Sequence, residues 1–120
     1  MPQPDQLKIG VVGPCGAGKS TLVEGLTQHG YIARHIAQEH SYVGMMWKRI
    51  ANPDILVYLD VSFPVSTKRR NLDWINADFS EQLRRLQEAR EHADILIDTD
   101  DLTPGAILEI VLTEINKLGV

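Results

Sequence analysis

The sequence has little cysteine and no long apolar run. Cys15 is the single cysteine among 120 residues, which excludes an intrachain disulfide and a zinc site built from several cysteines. The longest stretch without a charged side chain, Ile9 to Gly18, has ten residues, whereas a membrane-spanning helix needs about 18 or more. Residues 1–6 lack the basic and apolar regions of a signal peptide. We therefore expect a flexible N-terminal tail over residues 1–6, a cytoplasmic location and no membrane partner.

Aromatic residues are also few, at 6%, and the net charge is only −4. A composition of 43% hydrophobic and 23% charged residues is ordinary for a globular domain. The slightly acidic balance argues against a protein that coats nucleic acid, so we expect no nucleic-acid partner. A chain of this length buries roughly two-thirds of its unfolded surface, and we expect one domain over residues 7–120.

Four segments predict strands, and helical patterns lie between them. The strand segments are Leu7–Val12, Tyr31–Ile36, Ile55–Val61 and Asp94–Asp98. The helical segments are Lys19–Gln28, Ser41–Ala51, Pro64–Arg70, Asp78–Ala93 and Thr103–Leu118. Alternating strands and helices predict an α/β fold, here a three-layer α/β/α sandwich around a small parallel sheet of about four strands.

Two of the helical segments carry signals for where the helix begins. Thr103 followed by Pro104 is a capping residue followed by proline at the first helical position. Asp78 and Glu81 have the spacing of a capping pair. The last helix also has an apolar stripe, formed by Ile107, Ile110, Val111, Ile115 and Leu118.

Residues 13–20 read G-P-C-G-A-G-K-S and match the phosphate-binding pattern G-x-x-x-x-G-K-[ST] in full. An apolar strand precedes this loop and an amphipathic helix follows it, as the pattern requires. Glycines let the backbone curl so that its N–H groups point at an anion, and the helix adds its positive end. The pattern predicts a nucleotide site formed by Gly13, Pro14, Cys15, Gly16, Ala17, Gly18, Lys19, Ser20 and Thr21. Within it, Lys19 reaches the β- and γ-phosphates, Ser20 offers a hydroxyl to Mg²⁺ and Thr21 lies near the α-phosphate.

Motifs of several nucleotide-binding classes are missing. The chain has no D-x-x-G sequence and no L-S-G-G signature, and Asp60 is followed by Val61 rather than by a glutamate. Asn116-Lys117-Leu118-Gly119 matches a guanine-binding motif only partly, because it lacks the aspartate and ends a helix. These absences argue against GTP-dependent switches, ABC transporters and motor-type ATPases.

Three motifs resemble those of the small-molecule kinase branch of P-loop NTPases. G-P-C-G-A-G-K-S-T, V-Y-L-D-V-S-F-P-V-S-T-K-R-R and A-D-I-L-I-D-T-D-D-L-T-P are similar to segments of adenylate, cytidylate and dephospho-CoA kinases. The resemblance covers most of the chain and implies a P-loop NTPase fold with ATP and Mg²⁺ as ligands. It implies that Arg69 and Arg70 contact the adenine or a phosphate, and that Arg85 contacts the transferring phosphoryl group. It also places the loop Thr99–Leu102 near the adenine.

Helical geometry favours a different arginine. At 100° per residue, Arg90 falls within the apolar face of the fourth helical segment, Arg85 lies at its edge and Arg84 points to solvent. That face is formed by Leu83, Leu86, Ala89 and Ala93. We therefore name Arg85 and Arg90, with Lys19 and Asp60, as candidate catalytic residues. The alternative is that both arginines extend from the surface and pair with nearby glutamates.

The sequence leaves the Mg²⁺ ligand open. Kinases of this type carry a magnesium-binding aspartate on a strand that has no counterpart between Ile36 and Ile55. Asp60 and Glu39 are the two candidates that could replace it, with Ser20 as the third metal ligand. His29, His35 and His92 lack the spacing of metal ligands and are assigned no role, and Trp47 is expected in the core.

Two functions fit these features. The first is an ATP-dependent kinase that acts on an unidentified small molecule. The second is an ATP-binding or ATP-hydrolysing regulatory module whose partner is another protein, since the chain has little room for an acceptor domain. Either protein would be a monomer or a homodimer.

Overall fold

A computed structural model of the chain describes residues 7–38, 41, 44–50, 52–70 and 76–118. Its strands are β1 (Lys8–Val12), β2 (Ile32–His35), β3 (Ile55–Asp60) and β4 (Ile95–Asp98). Its helices are α1 (Lys19–Gln28), α2 (Met46–Ile50), α3 (Phe63–Arg70), α4 (Asn76–His92) and α5 (Pro104–Lys117). The predicted tail over residues 1–6 lies outside the described residues.

The strands form one sheet in the order β2-β1-β3-β4, and each neighbouring pair is parallel. The predicted α/β class and the four-stranded parallel sheet are therefore confirmed. Val12 of β1 is paired with Tyr58 of β3, and Asp60 of β3 is paired with Asp98 of β4. β3 is buried along nearly its whole length, as its continuous apolar run predicts.

Helices cover both faces of the sheet. On one face, alternate strand residues such as Val11, Val57 and Leu59 join a core that includes Leu22 of α1 and Val111 of α5. On the other face, Val12, Leu56 and Tyr58 pack with Trp47 of α2 and with Leu86 and Ala89 of α4. This arrangement is compatible with a three-layer α/β/α sandwich. Within the described ranges, no helix is both long and apolar enough to cross a membrane.

α5 begins and packs largely as its sequence predicts. The hydroxyl of Thr103 accepts a hydrogen bond from the backbone N–H of Ala106 at 3.1 Å, and Pro104 is the first helical residue. Ile107, Val111 and Ile115 are buried, but Ile110 and Leu118 are among the exposed hydrophobic side chains. The predicted stripe was therefore too wide, because only one side of α5 faces the sheet and α1.

α2 and α4 differ from their predicted bounds. α2 covers Met46–Ile50 rather than the whole segment from Ser41 to Ala51, part of which lies outside the described residues. α4 begins at Asn76, two residues before the predicted cap. Glu81 therefore lies within the helix, where it pairs with arginines instead of capping it.

The connections from β1 and β3 leave the sheet in opposite directions. α1 packs on one face and leads to β2, whereas α4 packs on the other face and leads to β4. When the connections from two neighbouring parallel strands go to opposite faces of the sheet, a crevice forms at the carboxyl ends of the strands. Ligands bind in this crevice in open α/β sheets. The loop after β1 and the end of β3 meet at this point.

Candidate functional site

The glycine-rich loop, residues 13–18, connects β1 to α1 and depends on glycine for two reasons. A Cβ atom on Gly13 would lie 2.2 Å from the carbonyl oxygen of Leu59, so only glycine allows β3 to approach this closely. Gly18, just before α1, has a φ of 97°, which is in the left-handed region that disfavours residues with a side chain. The loop thus turns tightly against the end of β3 before α1 begins.

The N-terminus of α1 has no side-chain cap in the described part of the chain. α5 differs, because Thr103 accepts a hydrogen bond from its first turn. The first backbone N–H groups of any α-helix lack an intrahelical acceptor, and their partial positive charge attracts anions. At α1 these groups therefore need an acceptor from outside the helix.

A cavity of about 530 Å³ lies at this end of α1. Residues 15–22 form one wall, and the rest of the lining comes from His35, Arg69, Leu102, Pro104 and Ile107. The volume is in the range of small-molecule sites, and the lining combines an apolar part with convergent polar groups, as is usual for such sites.

Lys19 places a buried cation beside this cavity. Lys19 is only 6% exposed, and its ammonium group donates a hydrogen bond to the carbonyl oxygen of Gly13. The hydroxyls of Ser20 and Thr21 belong to the same lining. A buried ammonium next to an uncapped helix N-terminus gives the cavity a positive potential, which favours an anion.

Arg69 closes one end of the cavity. Its guanidinium donates to the carbonyl oxygen of Gly16 at 3.1 Å, to the hydroxyl of Thr99 at 3.0 Å and to the carbonyl oxygens of Thr99 and Asp100 at 2.5 and 3.2 Å. It therefore joins α3 to the glycine-rich loop and to the loop after β4. Leu102, which belongs to this loop, lines the same end. The side chain of Arg70, the other predicted contact, lies outside the described residues.

Two buried polar side chains that the sequence did not single out hold the outer edge of the loop. The hydroxyl of Ser66 on α3 donates to the carbonyl oxygen of Cys15 at 2.5 Å. Gln82 on α4 accepts a hydrogen bond from the N–H of Cys15 at 3.1 Å, and its own amide donates to the sulfur at 3.3 Å. Both side chains come from helices far along the chain, so no local pattern could have identified them.

Asp60 and Arg90 lie together in a second cavity of about 540 Å³. Arg90 is 3.7 Å from the carboxylate of Asp60, and its guanidinium lies 5.9 Å from the centre of the Tyr58 ring. The second cavity is lined by one side of α4 and the end of β3, and among the described residues it shares no lining residue with the first. Asp60 and Lys19, predicted to act together, thus line different cavities.

The buried face of α4 agrees with the prediction at Leu86, Ala89 and Ala93 but not at Leu83. Phe79, Gln82, Leu86 and Ala89 are buried, whereas Leu83 is exposed. Arg90 does not fall within the buried face, since its side chain is 51% exposed. The prediction differs at Leu83 and Arg90, because the buried face also includes Phe79 and the polar Gln82 and so lies farther from these two residues.

Arg85 and Arg84 pair with a glutamate of their own helix. The carboxylate of Glu81 accepts hydrogen bonds from Arg84 at 2.9 Å and from Arg85 at 3.1 Å. The hydrogen bond from Arg84, with a further one from Arg85, lowers the pKa of the Glu81 carboxyl below its usual value. Arg84 is exposed as expected, and Arg85 is the less exposed of the two. Neither lines the first cavity.

The candidate Mg²⁺ ligands are not brought together by the structure. Ser20 lines the first cavity and Asp60 the second, and Glu39 lies outside the described residues. Across the described part of the chain, no group of three or more His, Cys, Asp or Glu side chains could hold a metal. The hydroxyl of Ser20 would be one protein ligand of a Mg²⁺ ion, and phosphate oxygens and water would be the others. Mg²⁺ commonly has few protein ligands.

His35 and Gln38 are further residues that the sequence missed. His35 ends β2 and lines the first cavity, because β2 pairs directly with β1. Gln38 is fully buried, accepts a hydrogen bond from the N–H of Trp47 at 2.8 Å and donates to the carbonyl oxygen of Arg85 at 3.2 Å. Trp47 is in the core as predicted. The order of the strands brings His35 to the cavity, and no local sequence pattern predicts that order.

Comparisons with known proteins add no family to this description. No protein-family model matches the chain, and no curated protein matches it.

Proposed function

We propose that this chain is an ATP-binding protein with the P-loop NTPase fold that transfers the γ-phosphoryl group to a small molecule. One observation carries the proposal: the uncapped N-terminus of α1 and the buried ammonium of Lys19 meet at the same cavity. A helix N-terminus and a buried cation together favour a polyanion such as a triphosphate. The full match of residues 13–20 to the phosphate-binding pattern supports the same ligand.

In this proposal the two ends of the cavity bind different parts of ATP. The N–H groups at the start of α1 and Lys19 contact the β- and γ-phosphates, and Thr21 lies near the α-phosphate. The adenine packs on the apolar end formed by Leu102, Pro104 and Ile107, next to Arg69. Mg²⁺ would be held by Ser20 and the phosphate oxygens, and would neutralise charge on the transferring group.

A second candidate is an ATP-hydrolysing regulatory module without a small-molecule acceptor. The observation that favours it is the placement of the two candidate arginines outside the first cavity. Arg85 pairs with Glu81 and Arg90 with Asp60, so transfer to an acceptor requires α4 to bring one of them to the γ-phosphate. Arginine side chains at the transferring phosphoryl group are worth large factors in rate.

Calorimetric titration with ATP and Mg²⁺ tests the binding site. Lys19→Ala is expected to weaken ATP binding by about 30-fold or more, because removing one partner of a buried charged pair costs about 2 kcal/mol or more. Lys117→Ala is the matched control, since Lys117 is exposed at the end of α5 and its ion pair within the described residues is with Glu114 of the same helix. Undiminished ATP affinity in Lys19→Ala would overturn the nucleotide site.

The reaction is tested with γ-labelled ATP and a pool of small metabolites. Transfer of label to an acceptor supports the kinase, and Lys19→Ala is expected to abolish it. Release of inorganic phosphate at a rate that no member of the pool changes would favour the hydrolysing module instead.

A further inference from the structure

Gln82 contacts the glycine-rich loop with both ends of its side-chain amide. Its oxygen accepts from the N–H of Cys15 and its nitrogen donates to the sulfur of the same residue. The side chain is buried, with the residue only 5% exposed. A buried amide makes such contacts in one orientation only, because leaving either end without a partner costs free energy. Gln82 therefore fixes the position of Cys15 relative to α4.

Several backbone N–H groups and carbonyl oxygens of loop residues 15–17 have hydrogen-bond partners in the described chain. The N–H of Cys15 is bound by Gln82 and that of Ala17 by the carbonyl oxygen of Pro14 at 3.2 Å. The carbonyl oxygens of Cys15 and Gly16 are bound by Ser66 and Arg69. Hydrogen bonds to side chains of α3 and α4 thus hold Cys15 and Gly16. The start of α1 lines the cavity.

The conformation of the loop needs such support. A glycine-rich segment loses more conformational entropy on ordering than other residues do, and a loop that is ordered before binding avoids that cost when the ligand arrives. The contacts to α3 and α4 are side-chain contacts across more than 50 residues of sequence, so they hold the loop independently of its own turns.

We propose that Gln82 is a positioning residue that holds the glycine-rich loop in its anion-binding conformation and thereby couples α4 to the nucleotide cavity. The coupling rests on the proposed function, whereas the hold on the loop is measurable without nucleotide. Coupling of this kind is reciprocal, so a change in α4 alters nucleotide affinity and a bound nucleotide stabilises the contact to α4.

The hold on the loop can be measured through Cys15, the single cysteine of the chain. Cys15 is only partly exposed and its sulfur accepts a hydrogen bond from Gln82, so its alkylation by iodoacetamide in the nucleotide-free protein is expected to become faster when the loop leaves α4 more often. Gln82→Met keeps the length of the side chain and removes its hydrogen bonds, and we expect alkylation to become about fivefold to tenfold faster, as for the loss of one net hydrogen bond or slightly more. ATP binding by calorimetry is expected to weaken by a similar factor.

Two further variants separate the hydrogen bonds from other effects. Gln87→Met is the matched control on the same helix, since Gln87 is exposed and, among the described residues, has a side-chain hydrogen bond to Glu91 at 3.5 Å and none to the glycine-rich loop, and we expect both measurements to stay within about twofold of wild type. Gln82→Glu keeps an oxygen that accepts from the N–H of Cys15, and its alkylation is expected to be no faster than that of wild type. Circular dichroism checks that each variant is folded. Gln82→Glu decides the question of the loop should Gln82→Met not fold.

The outcomes distinguish this inference from the proposed function. Wild-type alkylation and wild-type ATP affinity in folded Gln82→Met would overturn the positioning role, as would faster alkylation in Gln82→Glu. Faster alkylation in Gln82→Met with unchanged ATP affinity would overturn the coupling. If the wild-type chain binds no ATP, the proposed function and the coupling both fail, and the alkylation rates still decide whether Gln82 holds the loop.

Discussion

The guanidinium of Arg90 lies 3.7 Å from the carboxylate of Asp60 at the end of β3. Their side chains are 51% and 34% exposed, and an ion pair this open to water contributes less than about 1 kcal/mol to stability. The pair therefore has a larger effect on where the two side chains point than on whether the domain folds. Both line the second cavity, whereas Lys19 and Ser20 line the first.

The first prediction concerns the Mg²⁺ ligand. We expect Ser20→Ala to weaken binding of the Mg²⁺–ATP complex by about tenfold or more, the usual effect of losing a group that holds a metal. Asp60→Asn is expected to weaken it by less than about twofold, because Asp60 is not in the lining of the first cavity. Calorimetry with Mg²⁺ and with a chelator measures both effects. A loss in Asp60→Asn as large as in Ser20→Ala would place Asp60 at the metal.

The second prediction compares two glycines. Gly13→Ala is expected to destabilise the fold by about 2–4 kcal/mol, because its Cβ would overlap the carbonyl oxygen of Leu59 and overpacking adds to backbone strain. Gly105→Ala is expected to stabilise the fold by about 0.5–1 kcal/mol, since Gly105 lies in α5 and the added methyl would meet no described residue within 4 Å apart from its chain neighbours and the backbone of its own helix. Urea unfolding gives both values. Equal effects would contradict the close approach of β1 and β3.

The third prediction concerns the start of α5. Thr103→Ala is expected to lower the free energy of unfolding by about 1 kcal/mol, the usual effect of removing a capping hydroxyl. Thr113→Ala is its control, because Thr113 is exposed and, in the part of the chain that the structure describes, its hydroxyl donates to the carbonyl oxygen of Glu109 within the same helix. Thermal unfolding of the two variants should differ. If Thr113→Ala were the more damaging, the cap would not fix the start of the helix.

The fourth prediction is a titration. NMR should give Glu81 a pKa below its usual value, and Arg84→Ala should raise that pKa more than Arg85→Ala, since the hydrogen bond from Arg84 is the main cause. A carboxyl whose pKa is lowered by folding adds stability above its unfolded pKa of about 4.3, and loses it as the pH falls through the lower folded value. Glu81→Gln should therefore change the pH dependence of unfolding only below about pH 5. An unshifted pKa in the wild-type chain would contradict the pairing.

Much of the fold follows from local patterns. The apolar run of β3 predicts a strand buried on both faces, and the pair Thr103-Pro104 predicts the first residue of α5, because both depend on neighbouring residues alone. The position of the glycine-rich loop between β1 and α1 is predicted for the same reason, since the strand, the loop and the helix are contiguous, and its phosphate-binding role stays a prediction.

The rest of the site depends on contacts between distant segments. Gln82 reaches the loop across 67 residues and Gln38 reaches α4 across 47, so their burial depends on how α4 crosses the sheet. Polar residues are normally placed on the surface when only the sequence is known, so the apolar pattern that defined the face of α4 could not identify the buried Gln82. His35 enters the cavity only because β2 lies directly beside β1.

The packing of α5 on α1 also has a consequence for synthesis of the chain. Leu22 and Leu26 of α1 share a core with Ile107, Val111 and Ile115, which are made about 80 residues later. On the ribosome, β1, α1 and β2 are complete while the apolar side of α1 still faces water. Exposed apolar surface of this kind is where nascent chains aggregate or recruit chaperones. We therefore expect the apolar side of α1 to need protection on the emerging chain until α5 has left the exit tunnel.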